Sequence, residues 1–143
     1  MNTQRLILPR ILGLIFLLGT FTLQANDECV NAIQLTPGLT CTPVEGSFSG
    51  STMSDAAPSC APSASQDVWY RFTATQSTMR VLLNATSGLN HGFEIRQGGC
   101  GGNVLACVNT YGSVISETYL DNNFSVGVEY YIRVFNANSQ AVG

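Results

Sequence analysis

No lysine occurs in these 143 residues, and every basic side chain is an arginine: Arg5, Arg10, Arg71, Arg80, Arg96 and Arg133. From residue 26 onward four arginines face nine acidic residues, a formal balance of −5. Nucleic acids and anionic membranes are held by basic surfaces, so neither is a fitting partner. A phosphate loop needs a lysine behind its glycines, and "GGCGGN" (98–103) leads into a strand pattern instead. The single histidine, His91, is the one conventional base near neutral pH, and it stands in a glycine-flanked "NHG" that reads as a solvated turn. No G-x-S-x-G elbow frames a serine, so a hydrolytic triad has no support. Asp67 with Glu94 or Glu117 supplies carboxylates for glycoside hydrolysis, but nothing in the sequence sets the separation that chemistry needs. Asp67 reads as the end of the preceding loop, bonded to backbone amides. Zinc is equally unsupported, because C-x-x-C is absent and His91 is far from any cysteine pair. The expectation is a protein without catalysis of its own.

What is present begins with a leader. Arg5 and Arg10 precede an uncharged stretch from residue 11 to residue 26, with Ala25 at a cleavage position. A basic start, a short apolar core and a small residue describe a secretory signal peptide. The apolar run is short against the ~20 residues that span a bilayer. We read residues 1–25 as the signal peptide and Asn26 as the first residue of a domain over 26–143. No membrane insertion is expected after cleavage, and the product is secreted or held at the cell surface.

Five cysteines follow, at 29, 41, 60, 100 and 107. In an exported chain they point to disulfides. Cys100 and Cys107 flank a Gly101-Gly102-Asn103 turn and form the best-supported pair; Cys29 with Cys41 follows on proximity. Cys60 is then left unpaired within the chain.

The dominant period is two. Val68, Tyr70 and Phe72 alternate with Trp69, Arg71 and Thr73, and Met79, Val81, Leu83 and Ala85 with Arg80, Asn84 and Thr86. Phe93 and Ile95 alternate with Glu94 and Arg96, and Tyr130, Ile132 and Val134 with Tyr131, Arg133 and Phe135. Such alternation marks half-buried strands. Weaker strands are expected at 44–49, 103–109 and 115–120, and a helical turn at 27–32 capped by Asn26 or Asp27. "SGSTMSDAAPSCAPSASQ" (49–66) reads as a long surface crossing stapled at Cys60, while 85–92 and 121–129 read as turns. The pattern predicts an all-β fold, an antiparallel jelly-roll-like sandwich. Because "ANSQAVG" is turn chemistry after a good strand, one last strand carrying a partner for Cys60 is expected from a continuing chain.

Two kinds of binding remain open. "LDNNFS" (120–125) is the one acidic-amide cluster that could offer calcium its oxygens, and a hydrophilic turn is the plainer reading. Trp69, Tyr111, Tyr119 and Tyr131 could form a carbohydrate platform if they face outward, and Trp69, Tyr111 and Tyr131 are the candidate ligand residues. No cofactor is otherwise implied.

"NDECVNAIQL", "CTPVEGSFSGST", "DVWYRFTA", "QGGCGGNVLACVN" and "GVEYYIRVF" follow one another across essentially all of 26–143. This order resembles a module of secreted Bacteroidetes proteins that is similar to the bacterial pre-peptidase C-terminal domain. The resemblance implies a jelly-roll-like accessory part of larger exported proteins, alongside peptidase, adhesin or fibronectin-like domains and a C-terminal type IX secretion signal. Many relatives carry an aspartate beside the phenylalanine where this chain has His91-Gly92, so a role tied to that acid does not transfer. Many also continue into a cysteine-bearing final strand, which is absent here, and on this comparison Cys29 pins the new N-terminus to the sandwich. The expected function is adhesion or targeting through a glycan, a protein or the downstream domains of the same polypeptide. The alternative is a spacer or folding aid on a secreted hydrolase, with no ligand of its own.

Overall fold

The computed structural model describes residues 26–85, 89–110 and 116–142. The leader lies outside the described residues, and so does Tyr111. In chain order the strands are β1 (Ile33–Gln34), β2 (Gln66–Thr73), β3 (Met79–Asn84), β4 (His91–Gln97), β5 (Asn103–Val108), β6 (Ser116–Asp121) and β7 (Glu129–Asn136). Five of them form a sheet in the order β1-β2-β7-β4-β5, and β3 and β6 form a second, two-stranded sheet. All pairings are antiparallel except the short parallel contact of β1 with β2. The fold is therefore an all-β sandwich, and the strong alternations all fall on strands.

The inner faces carry the core. Register aligns Val68, Val134 and Phe93 in one row and Tyr70, Ile132 and Ile95 in the next, and all six are buried. Burying each such side chain stabilises by roughly 1.5–3 kcal/mol. Met79, Val81, Leu83 and Tyr119 of the small sheet pack onto this layer. Two strands cannot roof five, and Ile33, Leu35, Phe48 and the fully buried Phe124 fill the remainder. Phe124 sits in a stretch that reads as a hydrophilic turn, yet its ring meets Tyr130 edge-to-face at 5.0 Å and Phe72 at a tilt at 5.9 Å.

Three local expectations change. Residues 44–49 form no strand: Gly46 lies so close to the Tyr70 hydroxyl that a Cβ would sit 1.9 Å from it, and the Phe48 carbonyl accepts from Gln66 Nε2 at 2.8 Å. The helical turn shortens to a 3-10 turn at Cys29–Asn31, with Glu28 at its N-cap and no side-chain cap bond. Asn26 and Asp27 act elsewhere. Asn26 exchanges bonds with the Trp69 backbone at the free edge of β2, and Asp27 accepts from the Thr52 amide at 2.7 Å. Both contacts cover a sheet edge that would otherwise be open.

The disulfide pairing also differs. The bridges are Cys29–Cys100 and Cys60–Cys107, and Cys41 is exposed and free. Cys100 lies in the β4–β5 turn, whereas Cys107 lies near the far end of β5, opposite Glu94. A strand climbs roughly 3.4 Å per residue, so the two α-carbons stand well beyond the ~7 Å limit for a bridge. The same extension brings Cys107 beneath the 49–65 crossing, where Cys60 reaches it without needing another strand.

Candidate functional site

The outer face of the large sheet holds the polar half of each alternation. Trp69, Arg133 and Glu94 form one row across β2, β7 and β4, and Arg71, Tyr131 and Arg96 form the next. This face is not open to solvent. The 49–65 crossing and the N-terminal segment lie over it, fixed by the two disulfides, and Trp69, Arg133, Asp67, Glu94 and Phe135 are all buried. Gly92 makes room beneath the roof, since a Cβ there would stand 2.7 Å from the Phe135 ring and 2.5 Å from the Val108 carbonyl. That contact gives the departure at His91-Gly92 a packing cause.

Buried charges demand partners, and each finds one. Arg133 Nε donates to Asp67 at 2.5 Å, while its Nη1 and Nη2 donate to the carbonyls of Ala56 (2.7 Å) and Asp55 (3.0 Å). Asp67 also accepts from the Ser54 amide and hydroxyl, so it does close the crossing through the backbone. Burial pushes the Asp67 carboxyl above its ordinary value, against the pull of Arg133. Arg96 donates from Nε to Glu94 at 2.5 Å and from Nη1 to Asp55 at 2.8 Å and to the Cys100 carbonyl. The Arg96 guanidinium, and then the Ala56 amide, hold the Asp55 carboxyl below the usual range.

Trp69 is not an exposed platform. Its ring is 1% exposed, with Arg96 and Arg133 lying 5.1 and 5.5 Å from its centre, and its Nε1 donates to Ser54 Oγ at 2.8 Å. Each such cation–π contact contributes roughly 0.5–2 kcal/mol. Tyr131 is half-buried one row away, donating to Glu129 at 2.9 Å. Tyr119 belongs to the inner layer and donates to Asp121 at 2.6 Å. Among the described residues, the aromatic candidates Trp69, Tyr119 and Tyr131 therefore do not converge.

His91 is buried, contrary to a solvated turn. Its pairing with Asn136 already makes it the first residue of β4, and its parity with Phe93 and Ile95 turns the ring inward. Its Nδ1 lies 2.9 Å from the Leu89 carbonyl, which can only accept, so we place the proton on Nδ1. The carboxylates considered for hydrolysis are equally occupied. Asp67 and Glu94 are bound by arginines, and Glu117 accepts from the Thr110 amide and hydroxyl across the sandwich. In 120–125, Asp121 Oδ1 accepts from the amides of Asn122 and Asn123 and from the Asn123 side chain. Among the described residues no group of three potential metal ligands converges.

One open depression does form on this face, about 290 Å³ in volume. The N-terminal turn contributes Glu28, Cys29 and Val30, the crossing Ser54 and Asp55, the sheet Trp69 and Arg96, and the hairpin Cys100 and Gly101. Four segments distant in sequence meet there, and this is why only Trp69 was visible beforehand. The signal that could have found the rest is the pairing of Cys29 with Cys100, which draws Glu28 and the β4–β5 turn together.

A sandwich of this layering, five strands facing two, is that of a galactose-binding-like jelly roll. The comparison with protein families agrees: residues 25–143 match the family described as "Galactose binding domain-like", associated with type IX secretion. The chain belongs to this family, an accessory domain of secreted Bacteroidetes proteins. No curated protein and no solved structure gives a significant match to it.

Proposed function

We propose that this domain is a non-catalytic targeting or adhesion module of a larger secreted protein, holding its parent against extracellular material by binding glycan at the Asp55–Arg96 depression. The observation that carries the reading is the Asp55 carboxylate. It is the one acid of the outer-face network that stays largely exposed, at 47%, while bonded to a buried guanidinium. An acceptor on the crossing bonded to a donor on the sheet suits the paired hydroxyls of a sugar. Membership of a galactose-binding-like family supports the same reading. A leader cleaved before Asn26 and export by the type IX route belong to the same reading, which the match to a family associated with type IX secretion supports. The resemblance to pre-peptidase C-terminal domains supports a neighbouring peptidase or adhesin on the same polypeptide. Retention of the labelled protein on polysaccharide-rich cell-surface material tests the proposal. Asp55→Asn is expected to abolish retention without unfolding the domain, and a protein that adheres to nothing refutes it.

The second reading, a spacer or folding aid without a ligand, is favoured by a different observation. Arg133 spends all its donors inside the fold, and two disulfides clamp the roof. Such rigidity serves mechanical separation of neighbours as well as binding. A parent protein that loses activity or yield without this domain, but not on Asp55→Asn, decides for the spacer.

A further inference from the structure

The same depression has a charge and a size that narrow its ligand. Arg96 is the one cation there, and it is shared between Asp55 at 2.8 Å and Glu94 at 2.5 Å. Glu28 stands on the rim, exposed, and its carboxylate has no partner among the described residues. Among the lining residues Glu28 and Asp55 face one arginine, a local excess of one negative charge. That excess repels a carboxylate, sulfate or phosphate on the ligand and attracts a cation. The volume, about 290 Å³, lies at the bottom of the roughly 300–1,000 Å³ range of small-molecule sites, enough for a single ring and too little for a folded peptide segment.

The walls are consistent with a ring. Trp69 is too deep to stack on a ligand, but Val30 is 87% exposed on the rim, and the Cys29–Cys100 bridge lines the wall beside it. Together they give an apolar surface for the C–H face of a sugar, and Asp55 and Arg96 line the same depression, able to accept from and donate to hydroxyls. Resting on the glycan-binding reading above, we infer that the site takes one pyranose ring carrying a free amine, with its ammonium group toward Glu28, and rejects acidic sugars. The partner is thus a non-acetylated hexosamine unit of a glycan.

The test is titration of the purified protein with the methyl glycosides of galactosamine, galactose and galacturonic acid, followed by amide NMR shifts. Galactosamine is expected to bind tightest and to move the amides of Glu28, Val30, Asp55 and Gly101, with galacturonic acid inert. Glu28→Gln touches no internal contact, so it leaves the fold intact. It is expected to weaken galactosamine by about three- to fivefold, the scale of one exposed ion pair, and so to narrow its advantage over galactose. Added salt should erase the same preference. Asp55→Asn is expected to weaken both neutral and amino sugars by about tenfold or more, as loss of a charged acceptor does. Galacturonic acid binding as well as galactosamine, or indifference to Glu28→Gln, overturns the inference. Retention on cell-surface material that Asp55→Asn abolishes, with no preference for galactosamine and no effect of Glu28→Gln, overturns it while the glycan-binding reading stands; retention that both variants leave untouched, or absence of both sugar binding and retention, overturns the two together.

Discussion

Breaking the Cys29–Cys100 bridge should cost more than a local hairpin bridge could, and the difference can be calculated. The chain-entropy relation depends on the loop a bridge closes. For the 71-residue separation of Cys29 and Cys100 it gives about 4.4 kcal/mol, and for the 47-residue separation of Cys60 and Cys107 about 4 kcal/mol. A bridge between Cys100 and Cys107, only seven positions apart, would give about 2.4 kcal/mol. With an unfolding entropy near 2.1 cal/mol/K per residue, a domain of this size moves about 4 °C per kcal/mol, so the long bridge corresponds to about 18 °C in Tm. The measurement is guanidinium and thermal unfolding of Cys29→Ser, Cys100→Ser and the double variant, all carrying Cys41→Ser so that the exposed thiol cannot exchange. The three should lose the same stability, because the second substitution removes a partner already lost. Cys100→Ser pairing in its effect with Cys107→Ser instead, with a loss near 2 kcal/mol, would refute the connectivity and the reasoning built on it.

Other outcomes follow from the buried polar layer. Arg133→Met leaves the buried Asp67 carboxylate without its counter-charge and two carbonyls without partners, and a loss of about 3–5 kcal/mol is expected in chemical unfolding; Asp67→Leu added to it should recover part, since the desolvated acid is then gone. Gly92→Ala drives a methyl into the Phe135 ring, so it should destabilise by about 1–3 kcal/mol, and Phe135→Leu in the same chain should offset part of that loss. Burial, and then the bond to Asp121, push the Tyr119 phenol from 10.0 up to about 12. The folded state therefore keeps its proton after the unfolded chain has released one, so this group's contribution to stability is full below pH 10 and fades as pH rises toward 12. Absorbance titration should find Tyr119 among the late phenols, with Tyr70, which burial also raises, and Asp121→Asn should move only the Tyr119 step earlier.

The inner half of the fold was legible because alternation is a local signal. Val68, Tyr70, Phe72, Ile132 and Val134 announce their face by the residues beside them, and the sheet uses that face as its core. The outer half was not legible, because Trp69, Arg133 and Phe135 share the same period and are buried only by a segment far along the chain. Arg133 reads as a solvent residue and is instead completely enclosed, a fact that depends on Ala56 and Asp55 offering it carbonyls. The cysteine pairing was hidden for a related reason: nearness in sequence misleads where a strand intervenes. Phe124 shows the limit of composition, since one ring among Asn, Ser and Gly reads as loop yet closes an end of the core. The depression depended on all of these at once, and so no single stretch could predict it.

The burial of the arginines has a consequence for survival outside the cell. A trypsin-like protease needs an exposed arginine or lysine in a chain that can be drawn extended into its cleft. Among the described residues Arg96 and Arg133 are buried, while Arg71 and Arg80 lie within β2 and β3 with their backbones paired in sheets. The native domain thus presents such an enzyme with no accessible bond, and its digestion must wait for unfolding. A module carried beside peptidases would be hard for them to clip away from its cargo.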